Sequence, residues 1–212
     1  MASPKKEAFA CLAEGIIKKL ESRNMEGYYF DDSKSCIDKI LSMMPSESIV
    51  SWGGSQSVIE SGMMDALHKN NYKLIDRASA TTPDEQRSVF AQAIMSDYYF
   101  MSTNAITMDG ELMNIDGNGN RAACLIHGPK HVMIIAGRNK VVEDLEFAES
   151  RIRNVASPAN AKRLGRQTPC NFTGRCGDCL SSECMCNQII ITRRSGHTGR
   201  IKVFLINEDL GY

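Results

Sequence analysis

Asn104, Asp109, Asn114, Asp116, Asn120 and Arg121 crowd into the block from Tyr98 to Lys140, between runs of apolar residues. A stable fold does not require small polar residues at that density where buried strands end. Polar side chains on loops held by a rigid scaffold are where binding and catalysis concentrate. Within the block, Asp116-Gly117-Asn118-Gly119-Asn120-Arg121 makes a tight loop. The backbone amides of Gly117 and Gly119 can receive a phosphate or carboxylate, and Arg121 can clamp it with two parallel hydrogen bonds. The competing reading is a hairpin loop with a surface arginine. A second stretch, Trp52-Gly53-Gly54-Ser55-Gln56-Ser57, leaves a short apolar run and opens a helix. Such a junction offers free amides and a positive dipole end to an anion, with glycine permitting a φ > 0 turn and a close ligand approach. It matches neither a P-loop nor a dinucleotide fingerprint, and a plain strand-to-helix turn is the alternative. Glu60, about one and a half turns into that helix, and Asp116 are the candidates for acid–base work, since burial can tune either. For Glu60 a solvated helix carboxylate is the equal alternative.

The thiols divide into two sets. Cys11, Cys36 and Cys124 are scattered through apolar-periodic segments and read as reduced core residues. The remaining five of the eight cysteines fall within residues 170–186 at the spacing C-x5-C-x2-C-x4-C-x-C. A cytosolic cluster of this kind is more often metal-binding or redox-active than a disulfide framework. Four thiolates suffice for a structural zinc or a four-iron cluster, so one of the five is spare or the thiols are free or paired. The segment is too poor in apolar residues to hold its shape by burial, which makes a cross-link the expected source of order. His127 and His131 lack a third ligand at zinc-like spacing and read as loop or edge residues.

These groups must be positioned by regular elements, and the periodicity predicts them. Phe9, Leu12, Ile16, Ile17 and Leu20 give helical spacing over residues 6–25, stopped by Gly27. A short strand at 28–30 precedes a helix capped by Ser33 and ended by Pro45. Ile49–Trp52 and residues 72–76 read as strands flanking a helix over 57–69. Thr82-Pro83-Asp84-Glu85 starts a helix that runs to Met95. Residues 98–102 and 131–136 are the strongest strands. Strands alternating with helices imply a mainly parallel sheet with helices on both faces. A charged helix over 143–155 ends before Pro158. Two β-branched runs, 189–193 and 201–206, form a hairpin or add to the main sheet. Arg193, Arg194, Arg200 and Lys202 then lie on a solvated hairpin face. The expected organisation is a single α/β domain over 1–212, with a Cys-rich segment at 166–187 inside it.

Composition excludes several functions. Lys+Arg and Asp+Glu both number 25, a net charge of +0, so no basic field supports non-specific nucleic-acid binding. No apolar run approaches the ~18 residues of a membrane span, and the first residues lack a secretory signal. A cytoplasmic protein is expected, with no nucleic-acid or membrane partner; a homo-oligomer is compatible with these numbers. No flavin or nicotinamide motif is present.

Taken together, Gly53-Gly54-Ser55 with Glu60-Ser61-Gly62, Asn104-Ala105-Ile106-Thr107 with Asp109-Gly110, and Asn114-Ile115-Asp116-Gly117 form a specific set. Gly119-Asn120-Arg121, Gly128-Pro129 and Gly137-Arg138-Asn139-Lys140 continue it. In these residues the chain resembles the LUD domain family (lactate utilization protein, formerly the DUF162 group), close to its lactate-utilization C subunit. The resemblance implies the fold related to ribose-5-phosphate isomerase, glucosamine-6-phosphate deaminase and CoA transferases, with glycine-rich loops at strand C-termini lining the site. It adds Gly53, Gly54, Ser55, Ser57, Asn104, Asp109, Asn114, Gly117, Gly119, Asn120, Arg121 and Lys140 to the expected ligand-binding set. The cysteines also resemble those of small members of the family, where Arg or Lys stands at the position of Cys184. Cys170, Cys176, Cys179 and Cys186 are therefore the expected metal ligands, with Cys184 spare or an alternate.

Two classes of function follow. One is a subunit of a system oxidising lactate or a similar small hydroxy acid, working beside iron–sulfur partner subunits and binding a small anionic ligand. The other is a metabolite-sensing module without catalysis. A sugar-phosphate isomerase rests on fold analogy alone.

Overall fold

Alternate residues of the long strands point to two different apolar layers, and this dictates the architecture. The computed structural model describes residues 3–212. The chain opens with α1 (Pro4–Ser22), β1 (Glu26–Phe30), α2 (Ser33–Ser42), β2 (Ile49–Trp52), α3 (Gln56–Glu60), α4 (Met63–Lys69) and β3 (Lys73–Ile75). Then come α5 (Pro83–Ile94), β4 (Tyr98–Met101), β5 (Ala105–Thr107), β6 (Leu112–Asp116), α6 (Asn120–Ile126) and β7 (His131–Gly137). The last part holds β8 (Val141–Val142), α7 (Leu145–Arg151), α8 (Ser157–Arg163), α9 (Pro169–Thr173), β9 (Gln188–Thr192) and β10 (Ile201–Ile206). Six strands form a wholly parallel sheet in the order β1-β10-β7-β4-β2-β3.

On one face Tyr99, Val132, Ile134, Val203 and Leu205 pack against Phe9, Ala13, Ile16 and Leu20 of α1, Ala93 of α5 and Leu125 of α6. On the other, Tyr98, Phe100, Met133, Ile135 and Phe204 meet Cys36 and Ile40 of α2, Val58 of α3, and Met63 and Leu67 of α4. This period-two alternation between two buried faces is why the strands read as continuous apolar runs.

A smaller mixed sheet has the order β8-β5-β6-β9. Its Ile106 and Leu112 belong to the same buried layer as α1 and the main sheet. Its opposite face, with Ala105, Met113 and Ile115, is covered by Ala148, Ile152 and Ala156. The two sheets therefore share a core.

Several expectations are corrected. The helix over 57–69 is two short helices, because Gly62 adopts φ +83° between them. Pro158 does not end the 143–155 helix. A wide turn at Ile152–Ala156, where the Ser157 N–H reaches back to the Ile152 carbonyl, carries α7 into α8. Widening the turn keeps the proline ring clear of the carbonyl four residues earlier. The runs 189–193 and 201–206 do not pair with each other. β9 lies antiparallel to β6, whereas β10 inserts between β1 and β7. Arg200 is accordingly buried and donates to the carbonyls of Cys124, Leu125 and Pro129 at 2.7, 2.7 and 3.1 Å, capping the C-terminal end of α6. Lys202 is buried beside Glu26 at 2.8 Å. Cys11 is exposed on the outer side of α1, while Cys36 and Cys124 are buried. Among the described residues no helix is long and apolar enough to cross a membrane.

Candidate functional site

A cavity of about 370 Å³ opens where the loops that follow β2, β3, β4, β6 and β7 converge. For the parallel strands this is the C-terminal edge of the sheet, where loops diverge and leave a crevice. Gly54, Ser55 and Ser57 form one side, and Asp116, Gly117, Asn120 and Arg121 form another, with Asn104 and Lys140 between them.

The charge in this cavity is one-sided. Among the described residues Arg77, Arg121, Lys140, Arg163 and Arg166 line it, against a single side-chain carboxylate, Asp116. That carboxylate is already committed. One oxygen accepts the N–H groups of Asn118 and Gly119 at 3.1 and 2.9 Å, and the other accepts that of Ala122 at 3.1 Å. Arg121 Nε stands 3.6 Å from it. Asp116 therefore organises the turn into α6, which Gly119 begins at φ +79°.

Arg121 is held from behind: Nη2 donates to Asn104 Oδ1 at 2.9 Å and to the Ile115 carbonyl at 2.7 Å. Asn104 Oδ1 also accepts the Ile115 N–H at 2.9 Å, so one amide ties Arg121 to the β5–β6 hairpin. The buried Asn114 supports this node from below, accepting the Asn104 N–H at 3.3 Å and donating to Thr103 Oγ1 at 3.2 Å.

The glycine pair after β2 has a different role from the one expected. Neither Gly53 nor Gly54 has a positive φ. A Cβ on Gly53 would lie 3.2 Å from Arg121 Cγ, and one on Gly54 would run into the Arg77 guanidinium. The pair makes room for two arginines. With α3 only five residues long, helix-dipole attraction at this loop is correspondingly slight.

Lys140 sits at the floor, 3% exposed, its Nζ donating to the Tyr212 main-chain oxygen at 3.0 Å. Burial, then the guanidinium charges of Arg151 and Arg121, pull its ammonium down to about 7, with Glu60 acting in the opposite direction. Arg151, itself lowered by burial, donates to the carbonyls of Asn139 and Asn104 at 2.8 and 2.7 Å and so locks the β4 and β7 loops together.

Other expected residues fall outside the cavity lining. Asp109 lies at the β5–β6 turn, exposed and paired with Lys19 at 2.8 Å. Glu60 accepts the Gly211 N–H at 2.6 Å and pins the segment that follows β10. Gly53, Asn114 and Gly119 shape or support the walls without lining them.

The outer wall comes from the Cys-rich segment. Met185 and Cys186 face the cavity beside Ser157 and Asn160 of α8. Cys186 Sγ donates to Ser157 Oγ at 3.4 Å, and burial pushes this thiol up. Cys170 lies 3.2 Å from Thr168 Oγ1, and Cys176 accepts from the Asp178 N–H at 3.4 Å. Cys184, the expected spare, accepts the Cys186 N–H at 3.5 Å. Among the described residues no three His, Cys, Asp or Glu side chains are gathered to hold a metal ion. Cys184 also hydrogen-bonds with the Cys179 thiol, and both Cys184 and Cys176 act on the Cys186 thiol through their charge, so these four thiols neighbour one another.

A LUD domain family model matches residues 13–206. The chain belongs to the LUD domain family. A DUF162 family protein from Deinococcus radiodurans has a similar crystal structure, with a TM-score of 0.53 at 8% identity over 93% of this chain and 97% of that one. That likeness shows a common fold. Ribose 5-phosphate isomerase A from Methanocaldococcus jannaschii is similar at 12% identity over 53% of this chain and 55% of its own, with a TM-score of 0.33. eIF2B delta from Chaetomium thermophilum is similar at 15% identity over 68% and 55%, with a TM-score of 0.32. No curated protein matches the sequence.

This LUD domain also uses residues that the sequence did not mark. Arg77 lies two residues past β3, Arg163 ends α8 and Arg166 follows it, and Tyr212 closes the cavity by accepting from Arg163 Nε at 2.7 Å and donating to Asn160 at 2.9 Å. Arg163 and Arg166 carried one usable signal: a basic pair in a stretch with no apolar periodicity, just before the cysteines.

Proposed function

We propose that this LUD domain binds a small anionic metabolite in the cavity, as part of a system handling lactate or a similar small hydroxy acid beside iron–sulfur partner subunits. The observation that carries the reading is the charge of the lining. Five cationic side chains face a cavity whose one side-chain carboxylate among the described residues is neutralised by three backbone N–H groups. Uncompensated cations around a concave site favour an anion that replaces their water with paired hydrogen bonds. The family supplies the hydroxy-acid context; the cavity itself supports the anion.

A second reading, sensing without catalysis, is favoured by the carboxylates. Asp116 commits both oxygens to backbone N–H groups, and Glu60 lies outside the lining with one oxygen on the Gly211 N–H, which leaves neither disposed to take a proton from a ligand. Calorimetry with L-lactate, pyruvate, inorganic phosphate and ribose 5-phosphate tests the common premise. The emission of Trp52, the single tryptophan and two residues before Gly54, reports the same event. Saturable binding of at least one of these anions, weakened by Arg121→Ala, is expected. No heat and no change in emission with all four would remove the anion site. Turnover of lactate with an electron acceptor, in the presence of partner subunits, would separate the catalytic reading from the sensing one.

A further inference from the structure

We propose that the cavity takes a hydroxy acid that also carries a phosphate, with each anionic group held by its own pair of arginines. The inference rests on the anion-site reading and narrows it to a ligand class. The inner pair, Arg77 and Arg121, flanks the glycines after β2. A Cβ on Gly53 would lie 3.2 Å from Arg121 Cγ, and one on Gly54 would run into the Arg77 guanidinium. The outer pair comes from a different part of the chain: Arg163 ends α8, and Arg166 follows it.

These charges are not balanced within the protein. Among the described residues, none of Arg77, Arg163 and Arg166 has a carboxylate within ion-pair distance. Arg163 is held by neutral oxygens instead, donating to the Tyr212 hydroxyl at 2.7 Å and to Asn160 Oδ1 at 2.8 Å. Arg121 has Asp116 nearby, but that carboxylate already accepts three backbone N–H groups. The surplus does not depend on Lys140, whose ammonium already meets the Tyr212 main-chain oxygen.

A guanidinium cannot shed its proton to relieve such crowding, so relief has to come from a counter-charge. One carboxylate can satisfy one pair through parallel hydrogen bonds, which leaves the other pair uncompensated. A phosphate monoester brings ~1.5–2 further negative charges at neutral pH. Together the two groups come nearer to four guanidinium charges than two carboxylates would.

Size points the same way. The cavity, at about 370 Å³, falls within the roughly 300–1,000 Å³ of sites that take drug-sized ligands. A three-carbon acid alone would leave most of that space to water. A chain with an anionic group at each end fills more of it and makes the second contact intramolecular, which multiplies affinity. Hydroxyls suit the linking chain, because Ser55, Asn104, Asn118, Asn120, Ser157 and Asn160 line the cavity with donors and acceptors.

The test is calorimetry on the full chain with two matched sets of compounds at pH 7. One set is 3-phospho-D-glycerate with D-glycerate and glycerol 3-phosphate. The longer set is 6-phospho-D-gluconate with D-gluconate and D-sorbitol 6-phosphate. In at least one set the two-ended compound is expected to bind at least about ten-fold tighter than the better of its one-ended relatives. Arg77→Ala, and separately Arg163→Ala with Arg166→Ala, should each remove that gain. All three side chains are exposed, so the melting temperature should hold. A gain that survives both variants overturns the assignment to the arginine pairs. Binding of one-ended compounds without a ten-fold gain in either set overturns the two-group ligand and leaves the anion site standing. No heat from any of the six overturns both.

Discussion

The two walls of the cavity are built by different physics. The inner wall, from the loops after β2, β4, β6 and β7, stands on strands buried on both faces. Its polar groups are fixed by buried partners: Arg121 by Asn104 and Ile115, Asn104 by Asn114, and the β4 and β7 loops by Arg151. The outer wall, from Arg163 to Cys186, has exposed arginines, half-buried thiols and exposed Phe172 and Leu180. Its order comes from isolated contacts such as the Gln167 N–H to Glu183 at 2.8 Å and Arg153 to Asp178 at 2.9 Å. A preorganised wall suits orientation of a reacting group, and a loosely held one suits admission of a ligand.

Arg200→Ala should have the largest effect of any arginine change. It removes three buried hydrogen bonds, two to the C-terminal end of α6 and one to the loop after it, and should cost about 2–4 kcal/mol in urea unfolding. The same change at Arg166 should stay within about 0.5 kcal/mol. Equal losses at the two positions would erase the distinction between the walls.

Lys140→Met should stabilise the protein on the order of 2–4 kcal/mol at pH 6. The ammonium is disfavoured in the folded state and unhindered in the unfolded chain. The unfolded chain thus binds more protons between about 7 and the ordinary lysine value of 10.5, and wild-type stability rises with pH across that window. The advantage of the variant should shrink as pH rises and vanish above it. Thermal unfolding at a series of pH values measures this, and a pH-independent gain would mean that Lys140 carries no buried charge.

On the outer wall the effects should be on binding alone. Arg163→Ala with Arg166→Ala should weaken pyruvate or phosphate about 5–30-fold, that is 1–2 kcal/mol, with an unchanged melting temperature. A fall in melting temperature as well would make these arginines part of the scaffold.

The smallest expected effect is a difference in thiol reactivity. Hydrogen bonding from Ser181 holds the Cys179 thiol below its usual value, whereas burial pushes Cys36 up to about 12 and Cys124 up to about 11. Iodoacetamide should modify Cys179 first and leave Cys36 and Cys124 intact in the native protein, as peptide mass mapping would show. Early modification of Cys36 would indicate that the α2 layer opens.

What was legible in the sequence was what local patterns dictate. Alternating apolar runs implied a parallel sheet covered on both faces. The Thr82-Pro83-Asp84-Glu85 start of α5 appears as a reciprocal cap, with Thr82 and Glu85 each bonded to the other's backbone. The glycine-flanked loops at 53–57 and 116–121 were visible as polar punctuation after apolar runs, and both reach one cavity. The sequence misled where one residue type serves two ends. Gly53 and Gly54 looked like a turn for an anion and are space for arginine side chains. Arg200 and Lys202 looked solvated because a hairpin was assumed, yet β10 is a central strand.

The sequence by itself determined the element types, the family and the presence of polar loops, because periodicity, caps and short motifs are properties of neighbours along the chain. Only the tertiary structure decided which charges share a cavity. Arg77, Lys140, Arg163 and Tyr212 are far apart in sequence and meet because parallel strands deliver their following loops to the same edge. Lys140 shows the reason most sharply: the ease of losing its proton is set by burial and by Arg121 and Arg151, neither of which is its neighbour in the chain.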